Sequence, residues 1–299
     1  VTELAKKGIT VEQQSELAER FEESRSQLRS VAYRMLGSLT EADDAVQEAW
    51  IRLSRSDTSD VDNLGGWLTT VVARVCLDML RSRKARREQP YETFVPDPIV
   101  TLDDRTDPEQ QALLADSVGL ALLVVLETLP PAERLAFVLH DTFGLPFDEI
   151  APIVDRTPTA ARQLASRARR RVQGAHLPDP DLAKQREVVE AFLAAARAGE
   201  FEKLLEILDP DVVLRADFGA ARVSTLVRGP QDVIAQARLY ADSAQYTRHA
   251  LINGAPGTVA IRKGRLTAVS SMTIVDGKIV QIDILADPDR LRQVQLSGL

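Results

Sequence analysis

Residues 156–172 hold six arginines and no acidic residue, directly behind the turn Asp155-Arg156-Thr157-Pro158-Thr159. Guanidinium groups present forked donors that fit phosphate oxygens and the major-groove edge of guanine. A second cationic run, Arg81-Ser82-Arg83-Lys84-Ala85-Arg86-Arg87, puts five cations in seven residues. Cations suit the C-terminal end of a helix, but five exceed that need, and phosphate contact is the chemistry they offer. The chain as a whole is acidic, with net charge −7 over 299 residues. Contact with nucleic acid is therefore expected in patches and not as general coating. No other reactive set stands out. One cysteine, Cys76, and three histidines exclude an internal disulfide and a thiolate-rich metal site, and no cofactor or metal is expected. The longest apolar run, Val118 to Leu126, is too short to span a bilayer, and no secretory signal is visible at the start. A cytoplasmic chain without membrane contact is the expectation.

The elements that must position these cations are helices. Thr157 can cap a helix with Pro158 at its first position, where the missing N–H does no harm. That helix buries Ala161, Leu164, Ala165, Ala168 and Val172. It exposes Thr159, Arg162, Gln163, Ser166, Arg167, Arg169 and Arg170. A short helix begins at Phe147 ahead of the turn, and Pro152 predicts that it kinks or ends early. Short helix, tight turn and basic helix make a helix-turn-helix. In that geometry Arg162, Gln163, Ser166 and Arg167 reach base edges, while Arg169 to Arg171 meet phosphates. An arginine-rich surface helix end is the alternative.

Residues 11–88 also read as helical throughout. Leu17, Phe21, Leu28, Val31, Ala32 and Met35 form one apolar stripe, stopped by Gly37, and Thr40 is the candidate cap of the next helix. There Ala45, Val46, Ala49, Trp50 and Leu53 face inward, while Asp44, Gln47 and Glu48 share the other face with Arg52 one turn on. Such a face is either solvated or a docking surface for a protein. A polar loop, 56–63, precedes a helix whose stripe is Leu68, Val71, Val72, Val75 and Met79 and whose polar side holds Arg74, Asp78 and Arg81. Trp67 fits the core of this unit. Residues 96–118, with three prolines and six acids against one arginine, read as a mobile linker. After helices over 119–173 and a second linker at 176–183, the period changes. Helices at 184–198 and 201–208 are followed by alternating runs near 211–217, 245–252, 257–262, 265–275 and 278–285, with a helix at 230–243. Asp276-Gly277 between the last two runs is a hairpin signal. The fold class is thus multi-domain: two all-α domains, the second with the helix-turn-helix, then an α+β domain.

Two motifs carry a resemblance. Asp44-Ala45-Val46-Gln47-Glu48-Ala49-Trp50 is similar to the core-polymerase-binding helix of sigma-seventy-type factors, and Asn63 to Arg87 to the promoter-melting helix that follows it. Thr128-Leu129-Pro130-Pro131-Ala132-Glu133-Arg134 with the helix-turn-helix resembles their other promoter-binding domain. The plan over residues 11–173 resembles extracytoplasmic-function (ECF) sigma factors. The resemblance implies region 2 at 11–95, an acidic linker at 96–118 and region 4 at 119–175. It implies that Asp44, Gln47, Glu48 and Arg52 contact core RNA polymerase. Asn63, Trp67, Arg74, Asp78, Arg81, Arg83 and Lys84 would lie along the minus-ten element, with the loop 56–63 holding an unstacked base. Thr159, Arg162, Gln163, Ser166, Arg167, Arg169 and Arg170 would meet the minus-thirty-five element of promoter DNA.

The tail, 184–299, resembles the SnoaL-like (NTF2-like) cone fold, with Leu177-Pro178-Asp179-Pro180 and Asp287-Pro288-Asp289-Arg290-Leu291 as signature pieces. A third, glycine-rich piece is reduced to Asp217-Phe218-Gly219-Ala220-Ala221-Arg222. Asp217, His249 and Asp283 are candidate members of a cavity, although no spacing pins them together and catalysis is not expected. The resemblance implies instead a control element that contacts the sigma domains within the chain, with a small-molecule ligand left open. The function expected is that of an ECF sigma factor regulated in cis, not an enzyme. The alternative is a one-component helix-turn-helix regulator with a ligand-sensing cone.

Overall fold

The computed structural model describes residues 11–56, 61, 63–85, 93–102, 119–175, 178–221, 223–294 and 296–297, without the side chains of 11–16, 84–85, 221 and 297. In chain order these form α1 (Val11–Leu36), α2 (Leu39–Arg55), α3 (Leu64–Ala85), β1 (Val100–Thr101), α4 (Leu120–Glu127), α5 (Pro131–Phe137), α6 (Phe147–Ile150) and α7 (Pro158–Gln173). The tail adds α8 (Leu182–Ala198), α9 (Phe201–Ile207), β2 (Leu208–Asp217), β3 (Thr225–Arg228), α10 (Pro230–Leu239) and α11 (Ala241–Ala244). It closes with β4 (Thr247–Ile252), β5 (Ala255–Arg262), β6 (Arg265–Val275), β7 (Lys278–Leu285), α12 (Pro288–Leu291) and β8 (Leu296–Ser297). Two compact units result: residues 1–87 with 130–168, and residues 88–129 with 169–299.

In the first unit α1, α2 and α3 pack pairwise. Phe21, Leu28, Val31, Ala32 and Met35 are buried as their spacing requires, against Ala42, Ala45, Val46, Ala49 and Leu53 of α2 and Leu68, Val72 and Cys76 of α3. Gly37 takes φ +67 and ends α1. The cap of α2 is Ser38, not Thr40: the Glu41 N–H donates to Ser38 Oγ at 3.5 Å. The Ser38…Glu41 spacing is that of a capping box, which the later threonine lacks at the right register. Burial pushes the Cys76 thiol far up from its ordinary value. The native chain should therefore resist a water-soluble thiol reagent and react only on unfolding, as stopped reaction with and without denaturant will show.

Further along, α5 packs on α3, and buried Arg134 donates to the Met35 carbonyl at 2.8 Å. A π-helical turn, Val138–Thr142, extends α5 before Gly144, at φ +70, breaks it. As Pro152 foretells, α6 stops at Ile150. Asp155, at φ +54, turns the chain, and Thr157 Oγ1 accepts from the Ala160 N–H at 3.3 Å to start α7.

The second unit is built on a curved mixed sheet. Among the described residues its order is β3-β2-β7-β6-β5-β4-β1-β8. Strands β4 to β7 form an antiparallel meander, and β2 adds in parallel to β7. Register shifts at Ala260/Ile261 and Thr273/Ile274 bend it. The Asp276-Gly277 turn has both residues at positive φ, as the hairpin signal requires. Helices α8 and α10 cover one face through Val189, Leu193, Val233 and Ile234, giving an α+β cone. Helix α4 contacts β6.

The mobility expected of the first linker is not found where the chain is described, and the second is a connector held by its own bonds. Residues 94–101 are fixed to the cone: Val95, Ile99, Val100 and Thr101 are buried, and β1 pairs with both β4 and β8. Prolines and acids disfavour a core of their own, but here the sheet edge supplies the partners. Residues 103–118 lie outside the described residues. In the second segment the Asp179 carboxylate accepts from the N–H groups of Asp276 and Gly277 at 3.2 and 3.3 Å, and Asp181 caps α8.

Candidate functional site

On α2, Asp44, Gln47 and Arg52 are exposed, and Glu48 is half-buried and paired with Arg52 at 2.9 Å. The neighbouring Asp43 is used internally, receiving Arg29 at 2.6 Å. Asp44, Glu48 and Arg52 line a groove of about 380 Å³ with Val75, Asp78, Met79 and Ser82 of α3. Sequence spacing placed these polar groups on one face. The structure adds an apolar floor, Val75 and Met79, which gives the face both charge and contact area for a protein surface.

The minus-ten candidates divide into outward and inward groups. Arg74 and Asp78 are exposed on α3. Arg81 reaches Asp78 and Asp155, each at 3.8 Å. Arg83 is turned inward, donating to the Leu36 carbonyl and pairing with Glu41, so it braces α3 against α1 and α2. Asn63 Oδ1 accepts from the Gly66 N–H at 3.0 Å and thereby caps α3. Trp67 is only half-buried, short of the core position its type suggests. The Lys84 side chain and residues 57–60 and 62 of the loop lie outside the described residues.

Along α7, Ala161, Ala165, Ala168 and Val172 are buried as read from the sequence and Leu164 is only half-buried, while Thr159, Arg162, Gln163, Ser166, Arg167 and Arg170 are exposed. Arg169 is half-buried. Two of the candidate side chains are held by neighbours. Arg167 Nε donates to buried Glu133 of α5 at 2.7 Å, and the Arg162 guanidinium lies 5.4 Å from the centre of the Phe147 ring. Gln163 and Ser166 stand between them on the open side. An array of donors on a helix that starts behind a tight turn suits the major groove.

In the cone, Asp217 and Asp283 lie on the neighbouring strands β2 and β7, His249 lies apart on β4, and none of the three lines the cavity. The cavity there is lined by Leu214 and Ala216 of β2 and by Ile282 and Ile284 of β7. Side chains alternate along a strand, so Asp217 and Asp283 point from the opposite face. His249 is exposed on β4. Asp283 receives Arg215 at 2.6 Å and Gln281 at 2.6 Å. Burial raises its carboxyl above the ordinary value, with Arg215 and Gln281 pulling partly back. The folded chain then holds that proton to higher pH than the unfolded chain. This group's contribution is greatest below the usual carboxylate range and falls as pH rises through the folded-state value. Asp283→Ala removes the buried acceptor of Arg215 and Gln281 and should destabilise the chain by about 3 kcal/mol in urea unfolding.

A cluster that spacing did not reveal lies where the connector meets the cone. Arg290 donates to Asp217 at 2.8 Å, to Asp97 at 2.8 Å and to the Val95 carbonyl, and sits 4.7 Å from the Phe94 ring centre. The Val95 N–H donates to Asp217 at 3.2 Å, and Ile99 exchanges bonds with Asn253. Gly219 is required beside it: a Cβ there would come within 2.1 Å of the Asp287 carboxylate that caps α12. The Asp287-Pro288-Asp289-Arg290-Leu291 run was the available signal, but its partners lie nearly 200 residues away, at a separation of 193.

A polar groove on α2 and α3, a helix-turn-helix and a cationic helix in one chain suit a protein that meets both a protein partner and DNA. Comparison with known proteins agrees: Sigma-70 region 2 matches residues 20–86, and Sigma-70, region 4 matches residues 119–172. The ECF RNA polymerase sigma factor SigJ of Mycobacterium tuberculosis is 39% identical over 291 residues, covering 90% of this chain and 91% of its own. The probable ECF RNA polymerase sigma factor SigI of the same organism is 37% identical, covering 89% and 92%. The crystal structure of M. tuberculosis SigJ superposes with a TM-score of 0.75 at 34% identity, over 94% of this chain and 100% of that one. The chain belongs to the ECF family of RNA polymerase sigma factors. Members of this family are not enzymes; they bind core RNA polymerase and promoter DNA.

Proposed function

We infer that this sigma factor docks on core polymerase through the α2 face of Asp44, Gln47, Glu48 and Arg52, reads one promoter element with α7, and is regulated in cis by its cone domain. It works in the cytoplasm, where its polymerase and DNA are. Within α7, Gln163 and Ser166 act as the adaptable base readers, Arg162 and Arg167 approach the groove from pre-set positions, and Arg169 and Arg170 hold phosphates. Along α3, Arg74 and Arg81 follow the minus-ten strand, with Asn63, Trp67, Asp78 and Lys84 beside it; Arg83 keeps the helix in place.

One observation carries the regulatory part: the connector between the two sigma regions is bound by the cone through Arg290, Asp217 and the β1 edge. A connector so fixed has a set path, which limits how two promoter-contacting regions can be spaced. The rival reading, a one-component regulator, has no use for a polymerase-docking groove.

Reconstituted run-off transcription with core polymerase and a genomic promoter library tests the whole. Initiation at defined start sites is expected, and a chain ending after residue 180 should differ in yield from the full chain. No start-site selection would sink the sigma reading, and equal yields would remove the cone's role. On a selected promoter, Gln163→Ala should lower initiation about tenfold, since a bidentate base contact discriminates by about 1–3 kcal/mol. Association with core polymerase should stay unchanged in the same variant.

A further inference from the structure

The cone encloses a cavity of about 430 Å³ between α8, α10, α11 and the concave face of the sheet. That is within the range of about 300–1,000 Å³ typical of small-molecule sites. Its wall is mostly apolar, with Phe192, Leu214, Phe218 and Met272 among the larger side chains. A few hydroxyl and amide groups, including Tyr240, Ser270 and Gln236, supply hydrogen bonds. Among the lining residues there is no Asp, Glu, Lys, Arg or His. A charged guest would lose its hydration and find no counter-charge, so the cavity selects against ions.

Two wall residues connect this space to the connector. Phe218 lines the cavity, and its chain neighbour Asp217 accepts from Arg290 and from the Val95 N–H. Pro288 also lines it, and Arg290, two residues along the same short helix, holds Asp97 and the Val95 carbonyl. Cavity wall and connector clamp are thus opposite sides of the same two backbone turns. The Ala286 N–H donates to the Asp217 carbonyl at 2.7 Å and ties those turns together, with the Asp287 carboxylate against Gly219.

We propose that the cavity binds an uncharged, largely apolar small molecule, and that its occupancy stabilises the Arg290–Asp97–Asp217 clamp on the connector. The idea rests on the cis-regulatory reading above and gives it a signal. A ligand that packs against Phe218 and Pro288 binds the clamped arrangement better than one in which these turns have loosened. By linkage, loosening the clamp must weaken the ligand by the same factor.

The test is a titration of the full chain with N-phenyl-1-naphthylamine, an uncharged aromatic probe that brightens in apolar surroundings. Saturable binding of one probe per chain is expected. Ala260→Trp, which fills the cavity from β5, should weaken it at least about tenfold while melting stays cooperative; Ala237→Phe, from α10, serves if the tryptophan does not fold. Arg290→Ala and Asp97→Asn, which break the clamp from its two ends and do not line the cavity, should each weaken the probe at least about fivefold. Absence of saturable binding, or binding indifferent to the filling variants, overturns the site. Binding unchanged by both clamp variants overturns the coupling. No polymerase or DNA enters this measurement. Failure here leaves promoter selection standing, and a chain that never initiates with core polymerase still reports on the cavity.

Discussion

Replacing Asp44 and Gln47 together by alanine should abolish co-purification with core RNA polymerase and leave the fold intact. Both side chains are exposed on α2. Their removal creates no cavity and breaks no buried pair, so stability should move by no more than about 0.5 kcal/mol. Binding is a different matter. Asp44 lines the groove with Val75 and Met79, Gln47 is exposed one turn along the same helix, and interface anchors are worth about 2 kcal/mol or more each. Two such losses approach 4 kcal/mol, close to a thousandfold in affinity and beyond what a pull-down retains. Asp43→Ala is the control. That residue is one position away but tied to Arg29, so association should persist. Undiminished co-purification of the double variant would contradict the docking assignment, provided its melting curve matches wild type.

The second large effect concerns the clamp. Arg290→Ala should raise promoter-dependent transcription at least about tenfold in a reconstituted assay. Arg290, Asp97 and Asp217 are mostly buried, with side-chain exposures of 19%, 13% and 9%. Deleting Arg290 takes the shared guanidinium away from two mostly buried carboxylates. Breaking such a cluster from one side is worth about 3–5 kcal/mol, enough to shift a held segment to a released one by more than a hundredfold. Asp97→Asn attacks the same cluster from the connector and leaves the cone's own residues untouched. Matching increases in the two variants indicate release of the connector and not general unfolding. Initiation at wild-type level in both would end the idea that this contact restrains the factor.

Much of the helical half was legible because its signals are local. The stripe of α1, the Thr157–Pro158 start of α7 and the break at Pro152 each depend on residues within one or two turns. The Asp276-Gly277 hairpin is equally local. Long-range pairings were not legible. Residues 96–101 look unstructured by composition, and their order comes from β4 and Asn253, about 150 residues downstream. Arg83 shows the same limit at the site: a cation in a cationic run reads as a phosphate ligand until the Leu36 carbonyl and Glu41 are found beside it. Asp217 and Asp283 read as cavity acids because strand parity cannot be fixed before the sheet's inner face is known.

The position of β1 between β4 and β8 has one more consequence. While docked, the connector satisfies a row of backbone amides and carbonyls along β4 that would otherwise be bare. Letting it go uncovers a sticky border of the kind that recruits a second molecule. Freed chains should therefore tend to pair up at high concentration, and the working form would have to find its polymerase before it finds a copy of itself.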